Sequence, residues 1–349
     1  MLFVHTADLH LASPLTARLS PEKIPGRQRE LLLTFRRLTE DGIRRGAAAV
    51  LMAGDLFDRE NVTVSWRESA LGIIRDFPDI PFFYLPGNHE GDMLGKEKNL
   101  PGNLHMFRET WTAYTLGDTE IFGASELTPD MFEKLPPKQA ARRIVVLHGG
   151  VGERTEGDTI RLSDAAGHGI DYIALGHYHT FRVEYNADGM LAAYAGTPAG
   201  RGYDETGEKG YILYDSDNNS AQFVPISGRK LYDLRVDISD CLSQRDVENA
   251  CADVLRGTSR DDLVRLTLAG RIPPDVRYDA AAVHTRFGEG RYSLEVRDEA
   301  LPLIRAEDYA FDRSLKGEYV RQVTAACDLT EEEKAEILAC GLYALQGGK

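Results

Sequence analysis

The chain has 349 residues, 42% of them hydrophobic and 28% charged, which supplies enough apolar surface to offset chain entropy and excludes disordered, collagen-like and mucin-like classes. At ~150 residues per domain, this length predicts about two domains. Acidic residues outnumber basic ones by 55 to 41, and the formal charge of −14 opposes non-specific attraction to a polyanion unless basic residues cluster or a partner supplies them.

Three apolar runs near the start end in polar loops: Leu2 to Thr6 before Ala7-Asp8, Ala48 to Ala53 before Gly54-Asp55, and Phe82 to Leu85 before Pro86-Gly87. They predict buried strands. Between them, Leu31, Phe35 and Leu38 share one face of a helix predicted over 27–45, and Leu71 and Ile74 face inward from a helix over 64–77. Beyond residue 100 come short strands predicted over 112–116, 120–123, 144–148, 172–175, 181–185, 191–194, 211–215 and 221–225. The turns Asn186-Ala187-Asp188-Gly189 and Asp215 to Asn219 separate the last four as hairpins. Alternation of strand and helix predicts an α/β architecture.

The first domain is expected to span 1–228. A small α+β capping domain follows over 229–304, with strands at 232–238, 263–269 and 292–296 and helices at 244–255 and 279–287. Residues 305–349 form a helical tail. Its first stripe is Leu315, Tyr319, Val323 and Cys327; its second is Ile337, Leu338, Leu342 and Leu345, opened by a capping box at Thr330 and Glu333.

The longest apolar run, Ala47 to Ala53, falls far short of the ~18 residues that cross a bilayer, and no signal-like stretch opens the chain. No membrane association and a cytoplasmic location are expected. Cys241, Cys251, Cys327 and Cys340 lie far apart and read as small core residues. Eight of the nine histidines fall between His5 and His179, which points the chemistry to the first half.

Five short groups sit at or just after predicted strand ends: Asp8-x-His10, Gly54-Asp55-x-x-Asp58, Gly87-Asn88-His89-Glu90, His148-Gly149 and Gly176-His177-x-His179. An i, i+2 pair on extended chain directs two side chains to one side, which suits chelation. Mixed oxygen and imidazole donors suit Mn, Fe or Zn better than Ca or Mg. Two ions ~3.5–4 Å apart stabilise both the entering and the leaving oxygen of an in-line attack on phosphorus.

In order and spacing, these blocks resemble the calcineurin-like metallophosphoesterase superfamily. The opening His5-Thr6-Ala7-Asp8-Leu9-His10-Leu11, the late Tyr194-Ala195-Gly196-Thr197-Pro198 and Glu208-Lys209-Gly210-Tyr211 are similar to the SbcD-type, YhaO-like DNA repair exonuclease branch. The resemblance covers the first ~225 residues and, more loosely, the capping domain. It implies a four-layer fold of two packed mixed β-sheets flanked by helices, with metals at the strand ends. It also implies one ion on Asp8, His10, Asp55 and His179 and another on Asp55, Asn88, His148 and His177, with Asp55 bridging. His89 would protonate the leaving oxygen, and Asp58 would orient the His89 imidazole.

Other residues have plainer readings. Glu90 is expected to accept from local backbone donors, His5 to be a packed histidine, and His105, His168 and His284 to be surface or core residues. Arg201 either contacts a phosphate or is solvated. Arg142 and Arg143 read as a charged edge that blocks aggregation. The resemblance implies a Mn-dependent DNA exonuclease or endonuclease subunit, with an SMC-like ATPase of the SbcC type and a second copy of the chain as partners. A small-substrate phosphodiesterase or phosphatase with the same metals is the alternative, and the acidic balance fits it as well.

Overall fold

The computed structural model describes residues 1–58, 62–88, 93–97, 99–152, 159–187, 189–226, 228–273 and 276–345. The chain divides into two compact units, Met1–Lys230 and Leu231–Lys349.

In the first unit the runs of apolar residues become the centre of a six-stranded sheet. Its order is Ser220–Pro225, Gly210–Asp215, Leu2–Thr6, Ala47–Ala53, Phe82–Leu85 and Leu104–Met106. The last four strands run parallel and the first two pair antiparallel, so the sheet is mixed. A second mixed sheet runs in the order Arg182–Ala187, Met190–Tyr194, Tyr172–Gly176, Arg142–His148, Thr119–Gly123 and Thr112–Leu116.

Successive side chains of a strand point to opposite faces, and both faces are covered here, which explains why these runs are largely apolar. Val4, Val50, Met52 and Phe82 face helices Ile24–Arg44 and Val64–Arg75, meeting Leu31, Phe35, Leu38, Leu71 and Ile74. Phe3, Ala49, Leu51, Phe83 and Tyr214 face the other sheet, where they meet Ile144, Val146, Tyr172 and Ala174. On the far side of that sheet, Val145, Leu147 and Ile173 are covered by Met131, Phe132, Leu162 and Ala165 around two 3₁₀ turns. The result is the α/β arrangement of two mixed sheets flanked by helical segments.

The strand carrying Arg142 and Arg143 is internal to its sheet, and Arg143 is 1% exposed. Its Nε donates to Glu120 Oε1 at 2.5 Å and its Nη1 to the His168 carbonyl at 3.0 Å, with the guanidinium 4.9 Å from the centre of the Phe122 ring. Among the cysteines, Cys241 and Cys251 are buried, but Cys327, in the bend after Leu315–Ala325, and Cys340, on the last helix, are exposed. The short strand Leu104–Met106 was not expected; its His105 ring stacks on Phe83 at 5.1 Å.

In the second unit, Leu231–Asp237, Leu263–Ala269 and Ser293–Asp298 form an all-parallel sheet. Helices Gln244–Leu255 and Ala280–Gly288 connect them, capped by Ser243, which accepts from the Asp246 amide, and Asp279, which accepts from the Ala281 amide. Helices Leu315–Ala325 and Glu331–Leu345 meet at Val320, Leu338 and Leu342. The capping box forms: the Thr330 amide donates to Glu333 Oε2 at 2.7 Å and the Glu333 amide to Thr330 Oγ1 at 3.2 Å. Leu315, expected on the buried stripe, is 70% exposed, since the buried face runs through Val320 with Tyr319 and Val323 packed beside it. No described helix is long and apolar enough to cross a membrane.

Candidate metal centre

Every described residue of the five sequence groups stands at the carboxyl end of a parallel strand. Asp8 and His10 follow Leu2–Thr6, Asp55 follows Ala47–Ala53, and Asn88 follows Phe82–Leu85. His148 closes its strand directly beside Gly176, which leads into His177 and His179. Two loops are laced together by backbone bonds: the Asp8 amide donates to Gly54 O at 3.1 Å, that of His10 to Asp55 O at 2.9 Å and that of Leu11 to Leu56 O at 2.8 Å.

This lacing accompanies backbone that side chains rarely adopt. Asp8, His10 and Asp55 have φ of 51°, 44° and 51°, and His177, on a separate loop, has 111°. A non-glycine residue at positive φ costs of order 1–3 kcal/mol and persists where its surroundings over-determine it. Two glycines allow the elements to close in. A Cβ at Gly87 would lie 2.0 Å from Asp55 Oδ1, and one at Gly176 would lie 1.7 Å from the Ala53 carbonyl oxygen.

The side chains converge. His10 Nε2 lies 3.1 Å from His179 Nε2 and 3.7 Å from Asp55 Oδ2. The same Asp55 oxygen is 3.3 Å from His148 Nε2, which is itself 3.1 Å from Asn88 Oδ1. Asp8, His10 and His179 form one group of donor atoms, and Asp8, Asp55 and His148 a second, each within 4.8 Å of one another. The His177 amide donates to both Asp8 oxygens, at 3.0 and 3.1 Å, and its ring lies edge-on to that of His148, 5.5 Å between centres.

The outer nitrogens of three rings show what the inner ones offer. His148 Nδ1 faces the Ala53 carbonyl at 2.9 Å, His10 Nδ1 faces Asp58 Oδ1 at 3.3 Å, and His179 Nδ1 faces Glu205 Oε1 at 2.8 Å. Carbonyl and carboxylate oxygens only accept, so these contacts hold a hydrogen at Nδ1 and leave each Nε2 as the inward atom that a cation can take. Lone pairs that face one another at 3.1 Å, beside two buried carboxylates, fit a divalent cation.

Electrostatics of the bare protein point the same way. Burial pushes the Asp8 carboxyl up to about 6, against the pull of His148 and His179. Burial opposes charge on His148, yet its hydrogen bond to Asp55 and the charge of Asp8 raise it to about 9. A proton there supplies positive charge that the carboxylates demand.

Asp58 lies 2.8 Å from Arg201 Nη1 as well as facing His10. Its expected pairing with His89, and the expected backbone partners of Glu90, lie outside the described residues. Arg201 is not solvated: its side chain is 13% exposed and held by Asp58 and Glu205. Sequence reasoning missed Glu205, whose one signal is its i+4 spacing from Arg201. It is 4% exposed, and burial opposes its charge, but hydrogen bonds from His179 and Arg201 hold it well below the usual carboxylate range. His5 packs behind the site, with Nδ1 2.7 Å from the Tyr172 hydroxyl and Nε2 3.2 Å from the Leu175 carbonyl.

The sequence model of the calcineurin-like phosphoesterases matches residues 1–181. The chain belongs to this family. It is thereby a metal-dependent phosphoester hydrolase of a family that works with two divalent ions. Among its relatives, the uncharacterized metallophosphoesterase YhaO of Bacillus subtilis is 28% identical over 309 residues, covering 78% of this chain and 72% of YhaO. The DNA double-strand break repair protein Mre11 of Archaeoglobus fulgidus is 24% identical over 408 aligned positions, 96% of this chain and 89% of that protein. Mre11 of Sulfolobus acidocaldarius is 24% identical over 303 residues, 78% and 76% of the two chains. These relatives agree with the SbcD-type branch read from the opening and late motifs.

Proposed function

We propose that this phosphoesterase is a DNA-cutting phosphodiesterase, the exonuclease or endonuclease subunit of an SbcCD-like repair complex in the cytoplasm. The observation that carries the chemistry is the inward convergence of the His10 and His148 Nε2 atoms on the Asp55 carboxylate, with His179 Nε2 facing that of His10. The DNA substrate is supported by relatives named as double-strand break repair proteins.

Asp8, His10, Asp55 and His179 would hold one ion, and Asp55, Asn88, His148 and His177 the other. Manganese is the proposed metal, and iron and zinc share its preference for this donor set. When bound, the ions supply Lewis-acid stabilisation of charge at phosphorus. The chain's own part is orientation and proton movement. The His177 amide fixes the Asp8 carboxylate, the Ala53 carbonyl fixes the His148 tautomer, and His89 delivers a proton to the leaving oxygen with Asp58 as its orienting carboxylate.

An SMC-like ATPase of the SbcC type, docked through residues 305–349, would offset the formal charge of −14 against DNA, and a second copy of the chain would pair with the first. Incubation with manganese and linear DNA, with and without the ATPase, is expected to give metal-dependent cleavage; none in either case overturns the nuclease reading. His89→Ala is expected to keep its ions and lose turnover by at least about 100-fold. The acidic balance favours one alternative, a small-substrate phosphodiesterase. Hydrolysis of bis-p-nitrophenyl phosphate without any cutting of DNA would select it.

A further inference from the structure

Behind the two imidazoles that face each other at 3.1 Å runs a continuous chain of charged groups. His10 Nδ1 meets Asp58 Oδ1 at 3.3 Å, and the same Asp58 oxygen accepts from Arg201 Nη1 at 2.8 Å. Arg201 Nη2 donates to Glu205 Oε1 at 2.6 Å, and that oxygen lies 2.8 Å from His179 Nδ1. The Arg201 amide adds a bond to Glu205 Oε2 at 2.6 Å, while its carbonyl accepts from Thr16 and Ala17 at 3.2 and 3.1 Å, tying the chain to the loop beyond His10. The third imidazole is supported differently: His148 Nδ1 rests on the backbone carbonyl of Ala53.

One contact gives this arrangement its logic. Arg201 Nη2 lies 3.3 Å from His179 Nδ1 and can only donate. Were Glu205 absent, the guanidinium would donate into Nδ1 and move the ring proton to Nε2, the atom that faces the site. With Glu205 present, the carboxylate takes the hydrogen from Nδ1 and occupies the guanidinium fork together with Asp58.

We propose that Asp58, Arg201 and Glu205 are one positioning brace that fixes the tautomer and orientation of His10 and His179, so that one of the two metal positions depends on ionisable side chains while the other has its His148 ligand set by backbone. This rests on the two-ion reading above. Partners that orient metal-bound histidines are worth about 10–100-fold in metal affinity. Loss of the brace therefore weakens the ion on His10 and His179 selectively and leaves the ion on His148 and His177 bound.

Manganese titration of the full-length chain, read by calorimetry and by electron paramagnetic resonance, tests this. The native chain is expected to bind two ions as a spin-coupled pair. Glu205→Ala is expected to bind one ion with affinity within about 3-fold of native and the other about 10–100-fold more weakly, giving an isolated-ion spectrum at low manganese. The double variant Glu205→Ala/Arg201→Ala, which also removes the competing donor, is expected to recover part of that affinity, an effect that loss of packing would not produce. Asp204→Ala, at an exposed neighbour, is expected to match the native titration.

Equal weakening of both ions, unchanged binding of both, or a double variant weaker than Glu205→Ala overturns the brace while leaving the two-ion reading intact. A native chain that binds no manganese overturns that reading, and the brace with it. If Glu205→Ala does not fold, Asp58→Ala reads the His10 end of the same chain of contacts, with the same selective loss expected and its absence decisive against the proposal.

Discussion

The Asp55 carboxylate and the His148 imidazole approach to 3.3 Å although they end strands of different sheets. The site is thus a seam, and neither sheet could build it alone. Asp55 also reaches toward His10, so Asp55→Ala is expected to lose both ions together, with metal content by elemental analysis falling below about a tenth of native and hydrolysis falling with it. Retention of two ions would remove Asp55 from the shared position.

The close approach of Gly176 to the Ala53 carbonyl gives a second expectation, because the added methyl of Gly176→Ala would meet backbone at 1.7 Å. Both strands must separate to admit it. A loss of about 3 kcal/mol is expected in denaturant unfolding. Gly102→Ala, where nothing lies within 4 Å, is expected to stay within about 0.5 kcal/mol.

The buried Arg143–Glu120 pair makes a third. Removing one member leaves a buried charge without its partner, so Arg143→Met is expected to destabilise by about 3–5 kcal/mol. Arg143→Met/Glu120→Leu is expected to recover most of that loss, since two apolar side chains leave no charge behind. Unfolding midpoints of the single and double variants check both statements.

Acid sensitivity supplies a fourth. Burial holds His5 neutral, with its pKa lowered from 6.5 to about 3 against the opposing hydrogen bond to Leu175. Below 6.5 the unfolded chain binds a proton that the folded chain refuses, so this group costs stability as pH falls from 6.5 toward 3, at up to about 1.4 kcal/mol per pH unit. Unfolding of metal-free protein between pH 4 and 7 should therefore show a steeper acid loss for the native chain than for His5→Gln. Equal slopes would show that His5 titrates normally.

Much of this was legible because strands covered on both faces are largely apolar: Leu2–Thr6 and Phe82–Leu85 lie where the apolar runs put them, and the edge strand Thr112–Leu116 lies where turn residues bound it. The donor residues were legible for a related reason, since each follows such a strand within a few residues. What escaped depends on contacts between distant segments. Arg143 reads as a surface charge until Glu120 arrives from the neighbouring strand, and Glu205 is one acid among many until its loop folds back onto His179. Leu104–Met106 is too short, with His105 at its centre, to show a period. Leu315 shares a helical spacing with Tyr319, but spacing alone does not say which side of a helix meets its neighbour.

The left-handed turns at Asp8, His10 and Asp55 carry a thermodynamic consequence. Glycine would relax the main chain at each of these positions, yet it would bring no donor atom. The native sequence therefore stands below the melting temperature its own architecture could reach, and the shortfall is the standing cost of keeping an ion cradle already shaped before any cation arrives.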